Sequence, residues 1–165
     1  MGAGYHGSFG KTSGAIRFAV GDIEFQSEAR NFFEFAAKRK LIDPDGMLDI
    51  VAHGGVNVIK MEINGQERLV NARFLARILE HSKKYGKKQT IRLISCDTGK
   101  DVYGFAQQLA NKLNTTVVAP TRKYLALENG GYVIAGTKKI GDITYADEKD
   151  IGYMKVFRPG GAYRK

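Results

Sequence analysis

Two short apolar runs in this chain end in side chains that can do chemistry. Leu48-Asp49-Ile50-Val51-Ala52 leads into His53-Gly54-Gly55, and Thr90-Ile91-Arg92-Leu93-Ile94 leads into Ser95-Cys96-Asp97-Thr98-Gly99. Cys96 is the only cysteine, and His53 is one of three histidines. A thiolate attacks a carbonyl carbon, and an imidazole held beside it can take the thiol proton and return it to a leaving amine. His53 and Cys96 are therefore the candidate catalytic pair. The backbone N–H groups of Gly54 and Cys96 are candidates for an oxyanion hole: glycine leaves its amide unscreened, and the Cys96 amide adjoins the nucleophile. Taken singly, a cysteine at a strand end more often serves as a small buried hydrophobe, and a lone histidine as a hydrogen-bonded structural residue. It is the paired placement that favours chemistry.

That placement depends on the elements around the two runs. An apolar run of this length without helical period reads as a buried strand, and the carboxyl ends of such strands meet at one rim of an α/β sheet. His53 and Cys96 are thus expected side by side at the ends of adjacent parallel strands, an imidazole nitrogen ~3 to 7 Å from the sulfur. Thr116–Ala119 reads as a third buried strand that ends in Pro120-Thr121 at the same rim. Thr121 and the hairpin after Gly54 should therefore border one cleft. Asp97 would oppose a thiolate next door unless it points away or reads a basic substrate group. Asp97 and Thr121 are accordingly the candidate substrate-binding residues.

Between the strands, Asn71 reads as the cap of a helix to about Lys84 with Phe74, Leu75, Ile78 and Leu79 at helical spacing. Asp101 reads as the cap of a second helix, whose Val102, Phe105, Ala106, Leu109, Ala110 and Leu113 follow one face. An earlier helix is expected over Glu28–Lys40 after a Ser27 cap, its Phe32, Phe33, Phe35 and Ala36 packed in the core. Hairpins are expected over Ala15–Gln26 around Gly21-Asp22, over Val56–Val70 around Asn64-Gly65, and over Tyr124–Ala135 around Asn129-Gly130-Gly131. A strand is expected over Ile140–Tyr145, a solvated charged turn at Asp147-Glu148-Lys149-Asp150, and a last strand over Tyr153–Phe157. The strand and helix succession predicts a mostly parallel sheet flanked by helices, with added β-hairpins. Residues 1–14 read as a flexible junction and 15–165 as a single α/β domain.

An apolar block ending in His-Gly, followed by one ending in Ser-Cys, resembles the signature of the clan CD cysteine peptidases, the caspase, legumain, gingipain and clostripain group. The resemblance implies a caspase-like fold, His53 as catalytic histidine, Gly54 as the glycine that follows it, Ser95 as the small residue before the nucleophile, and Cys96 as nucleophile. At the nucleophile the chain departs from caspases: Ser-Cys-Asp-Thr-Gly stands where Gln-Ala-Cys-Arg-Gly is expected, so aspartate specificity does not carry over. A longer stretch, roughly residues 47 to 161, is similar to C-terminal toxin domains of bacterial polymorphic toxins of the Rhs and contact-dependent-inhibition kind. The similarity lies in Ser95 to Gly99, Phe105 to Ala110, Val117 to Thr121 and the terminal Phe157-Arg158-Pro159-Gly160-Gly161. It implies secretion within a larger toxin, delivery to a target-cell cytoplasm, and a cognate immunity protein.

Bulk properties fit a single globular domain of 165 residues, with 43% hydrophobic and 26% charged side chains. One cysteine rules out an intrachain disulfide, so a reducing compartment is the easier setting and leaves the thiol available. No apolar run approaches the ≈ 20 residues of a membrane span, and no signal-peptide pattern is present. No phosphate-binding loop, zinc spacing or dinucleotide fingerprint appears, so no cofactor and no metal are expected. Net charge is +9, with the excess in residues 51–165. Such a field favours acidic partners, whether a protein substrate, an acidic immunity protein or nucleic acid. Lys100, Arg122 and Lys123 are the expected contacts for an acidic inhibitor. Three functions follow: a cysteine peptidase-like toxin cutting a protein substrate or its own parent chain, a nuclease toxin using the basic half with His53 as base, and an inactive binding domain.

Overall fold

The apolar runs that carry His53 and Cys96 form the middle of a five-stranded sheet. The computed structural model describes residues 15–17, 35, 47–64, 66–82, 85–86, 88–127 and 131–161. The sheet contains β1 (Ala15–Arg17), β2 (Leu48–Val51), β5 (Ile91–Ile94), β6 (Val117–Pro120) and β10 (Met154–Phe157) in the order β1-β2-β5-β6-β10. Pairings β1–β2, β2–β5 and β5–β6 are parallel, and β10 closes one edge antiparallel to β6. Every residue of β2 and β5 is buried. That is why both read as continuous apolar runs rather than as an alternation. The chain is a mixed α/β protein, mostly strand among the described residues, with a partly parallel central sheet.

Alternation along the strands sorts the core into two clusters. Leu48, Ile50 and Ala52, with Ile91, Leu93, Val117 and Ala119, face two helices, α1 (Ala72–Glu80) and α2 (Phe105–Leu113). Val51 and Ile94 face the other way, onto Tyr124, Tyr132 and Ile134 of a three-stranded antiparallel sheet. That sheet is made of β7 (Lys123–Ala126), β8 (Tyr132–Ile140) and β9 (Ile143–Ile151), and a separate hairpin is made of β3 (Ile59–Ile63) and β4 (Gln66–Val70). Asn64, at φ 54°, supplies the left-handed corner of the second hairpin.

Several boundaries differ from the expectations. Asn71 caps α1 as expected, accepting from the Phe74 N–H at 2.9 Å, but the helix stops at Glu80 and Phe74 is exposed. The buried stripe is Ala72, Leu75, Ala76 and Leu79 instead. Asp101 does not cap α2, and Val102 lies outside it, exposed in a turn. The helix begins only at Phe105 because the Phe105 N–H finds its acceptor in the tertiary structure, the Val56 carbonyl at 2.8 Å. Asp147–Asp150 is not a turn between strands but part of β9. The register of β8 and β9 slips between Ala135↔Ile151 and Thr137↔Ala146, so the charged residues form an excursion of β9 opposite Gly136. Ala15–Arg17 pairs parallel to β2 in the central sheet. Phe35 is helical. The remainder of the 15–26 hairpin and of the Glu28–Lys40 helix, residues 1–14, and the Asn129-Gly130 corner lie outside the described residues.

One contact in the sheet is unlike the rest. Asp49 on β2 and Arg92 on β5 are register partners, 0% and 1% exposed, and they form a two-pronged ion pair: Nε donates to Oδ1 at 2.6 Å and the second guanidinium arm to Oδ2 at 2.7 Å. Truncating one member of a buried pair leaves the other charged and desolvated. Arg92→Leu should therefore cost about 3–5 kcal/mol of folding free energy, measured by chemical denaturation. A loss below about 1 kcal/mol would mean that water reaches the stranded carboxylate.

Candidate functional site

The β2–β5 ladder decides where His53 and Cys96 lie. Leu48, Asp49, Ile50 and Val51 face Ile91, Arg92, Leu93 and Ile94, a constant offset of 43 residues. His53 and Cys96 are separated by the same offset. Each stands two residues beyond the end of its strand, and the Ala52 N–H, donating to the Ile94 carbonyl at 3.2 Å, carries the ladder one step past β2. Neighbouring strands run ~4.8 Å apart, so the two side chains start from adjacent backbones. By the same alternation they project to the face of Val51 and Ile94. The contact of the Cys96 sulfur with Tyr124 confirms that side for the cysteine.

Close packing extends the adjacency to the loops. A Cβ on Gly54 would lie 2.9 Å from the Cys96 carbonyl oxygen, 2.9 Å from Thr98 Cγ2 and 3.1 Å from Ser95 Cβ. Only a residue without a side chain lets the two turns touch. The Gly54 segment is held from its far side by β3, where the Lys60 N–H donates to the His53 carbonyl and the Gly55 N–H to the Val58 carbonyl, both at 2.8 Å. Gly54 and Ile59 thus form a non-hydrogen-bonded antiparallel pair, and the Gly54 N–H is turned away from β3. It makes no hydrogen bond among the described residues. His53 is half-buried, with its Nε2 shielded from solvent.

The Cys96 loop is fixed at each residue. The buried hydroxyls of Ser95 and Thr98 share a hydrogen bond of 2.9 Å. Asp97 takes a left-handed backbone conformation, φ 62°, which Asp tolerates better than most residues. Its N–H donates to the Arg122 carbonyl at 2.9 Å, and Lys123 Nζ donates to its Oδ2 at 2.6 Å. The Gly99 N–H donates to the Pro120 carbonyl at 2.8 Å; a Cβ there would meet the Ala119 carbonyl oxygen at 2.8 Å. Cys96 itself is half-buried. The Tyr124 N–H donates to its sulfur at 3.4 Å, and the thiol reaches the Tyr124 carbonyl only at 3.9 Å. The shorter of these contacts is the one in which the sulfur accepts.

The other sequence candidates sit close by in internal contacts. Asp97 is largely buried, its carboxylate turned to Lys123. Thr121 is buried at the end of β6, its N–H donating to the Tyr153 carbonyl at 2.9 Å and its Oγ1 accepting from the Tyr153 N–H at 3.0 Å. It fastens β6 to the approach of β10. Of the basic candidates, Lys100 is exposed, whereas Arg122 pairs with Asp150 at 2.8 Å and Lys123 with Asp97. Sequence reasoning set Lys123 near this rim but missed its pairing with Asp97, and it missed Tyr124 as a neighbour of Cys96, since nothing local ties β7 to the end of β5. It also missed the Asp49–Arg92 pair, though a signal existed: opposite charges stand at the same setback, four residues, before His53 and before Cys96. Among the described residues no cluster of three metal-binding side chains occurs, and no helix is long and apolar enough to cross a membrane.

A family model described as a domain of unknown function (DUF8616) matches residues 21–134. The matched segment contains His53, Cys96, the Asp49–Arg92 pair and β7, and it ends within β8. No curated protein and no solved structure matches the chain.

The Gly54 contact yields a prediction. Gly54→Ala should push the His53 turn off the Cys96 loop at a cost of about 1–3 kcal/mol, the usual range for overpacking. The loss is readable by denaturation and by faster alkylation of Cys96. Unchanged stability and thiol accessibility would mean that the two turns do not press together.

Proposed function

We propose that this chain, which belongs to the DUF8616 family, is a cysteine peptidase-like hydrolase of caspase-like architecture that cleaves peptide bonds through His53 and Cys96. The observation that carries this reading is the shared 43-residue offset, which sets the two residues at neighbouring ends of parallel strands. Gly54, packed against the Cys96 carbonyl, lends it further support. His53 accepts the Cys96 proton, the thiolate attacks the substrate carbonyl carbon, and the tetrahedral oxyanion is received by the N–H groups of Gly54 and Cys96. The proton on His53 passes to the amine as the C–N bond breaks. Water, deprotonated by His53, then releases the acyl group from sulfur.

The sequence similarities to polymorphic-toxin domains and the net charge of +9 support a wider role for the same domain. In that role it is the toxic part of a larger secreted bacterial protein, acts in a target-cell cytoplasm, and is blocked by an acidic immunity protein. Exposed Lys100 and half-buried Arg122 and Lys123 stand near the loop that such a partner would cover. Its association rate should fall as the Debye length shrinks toward ~8 Å at physiological ionic strength. A salt-independent rate would remove electrostatic steering.

The central test is turnover of a peptide library by the wild-type protein and by Cys96→Ser and His53→Ala. Loss of the base should lower turnover by about 10²–10⁴-fold, and Cys96→Ser should abolish it. Nucleic-acid cleavage retained by Cys96→Ser would identify a nuclease instead. Cleavage of neither substrate, with Cys96 no more reactive in the folded than in the denatured protein, would identify a binding domain.

A further inference from the structure

The ion pair beside the nucleophile has no part in the chemistry above, yet it joins the residue after Cys96 to the residue before Tyr124. Asp97 Oδ2 and Lys123 Nζ lie 2.6 Å apart, and Tyr124, one residue on, presents its N–H to the Cys96 sulfur at 3.4 Å. A carboxylate adjacent to a thiol raises the energy of the thiolate, and an ammonium group paired with that carboxylate cancels the effect. The same contact ties the edge strand β7 to the loop after β5.

We propose that Asp97 and Lys123 form a positioning and charge-balancing element for Cys96: Lys123 neutralises the Asp97 carboxylate and holds the Tyr124 N–H against the sulfur. This deepens the hydrolase reading and rests on Cys96 acting as a thiolate. The titratable and charged groups around the sulfur come from every neighbouring element. Among the described residues they are His53 after β2, Asp97 on the loop itself, Lys123 and Tyr124 on β7, and Tyr132, stacked on Tyr124 with ring centroids 4.8 Å apart, on β8. Two further pairs are internally neutral, Asp49–Arg92 on the same sheet face and Arg122–Asp150 next to Lys123. Lys123 and Asp97 are thus the members of this set whose separate removal changes the charge balance next to Cys96 while sparing the catalytic pair.

The two partners have opposite expected effects. Lys123→Met leaves the Asp97 charge uncompensated and frees β7, so both consequences disfavour the thiolate. Asp97→Asn removes the opposing charge, keeps a side chain suited to the left-handed backbone, and leaves Lys123 positive, so it favours the thiolate. The experiment is the pH dependence of Cys96 alkylation by iodoacetamide in the folded full chain, with thermal melts recorded in parallel. The alkylation midpoint should rise by about one unit in Lys123→Met and fall in Asp97→Asn, the size expected for one nearby charge. Lys123→Arg should return the midpoint toward that of the wild type. Shifts of the same sign in Lys123→Met and Asp97→Asn would overturn the proposal in favour of a plain structural clamp, and so would no shift in either. If Lys123→Met does not fold, the sign for Asp97→Asn alone decides. Alkylation reads the thiol whether or not peptide is cut, so failure here is distinct from failure of the peptidase assay.

Discussion

The Asp49–Arg92 pair is the constraint on which the remainder of the site depends. Both ions are inaccessible to water, and removing each from solvent costs several kcal/mol, which their attraction offsets only when geometry is good and the remaining valences are met. The pair is therefore a poor source of net stability and a strong source of register. A slip of two residues between β2 and β5 would keep every side chain on its own face but part the charges, setting Arg92 against Met47 or Val51 and Asp49 against Ile94 or Thr90. Such a slip costs far more than the apolar contacts alone could impose, because Ile, Leu and Val are nearly interchangeable along these strands. The register so fixed is the one that brings His53 level with Cys96.

Beyond the strand ends the ladder no longer constrains the chain, and packing takes over. Gly54 fits against the Cys96 turn because it has no side chain, and the Val56 carbonyl, a little further along the same segment, receives the first N–H of α2. The segment after His53 therefore touches the segment after Cys96 at two places, the loop itself and the helix it leads to. Gly104 permits the second contact, since a Cβ there would stand 2.7 Å from the Val56 oxygen. The helix start is thus shared between two parts of the sequence far apart in the chain. That is also why no side-chain cap is present, although Asp101 has the residue type of one.

Legibility followed the range of the interactions. Strands β2, β5 and β6, the Asn64 corner and the Asn71 cap are written in local pattern, and each was readable within a residue or two. So was the parallel pairing of the strands that lead to His53 and Cys96, because parallel order follows from alternating strands and helices. The contacts of the Cys96 loop were not readable: from an edge strand Tyr124 reaches the sulfur through a backbone N–H and Lys123 reaches Asp97 through a long side chain, and neither leaves a periodic mark. The excursion at Asp147–Asp150 was misread for a related reason. Four charged residues in succession have the composition of a turn, and only the pairing of the flanks, Ile151 with Ala135 and Ala146 with Thr137, shows that the strand continues past them. Gly136 makes room for Asp150, which turns to Arg122 beside the Cys96 loop.

A cysteine kept only as a small hydrophobe would sit well in a plain apolar turn. The loop around Cys96 is of another kind: a non-glycine residue at positive φ, two buried hydroxyls bonded to each other, a glycine with no space for a methyl group, and a largely buried carboxylate that needs its own counter-ion. Each of these features costs free energy unless its partner is in place, and non-glycine left-handed residues alone cost of order 1–3 kcal/mol. All of them act to hold one backbone turn still, with Cys96 half-buried in it and an amide N–H directed at its sulfur. The loop is thus a built turn rather than a plain apolar one, which fits the hydrolase proposal that the strand-end placement of His53 and Cys96 carries.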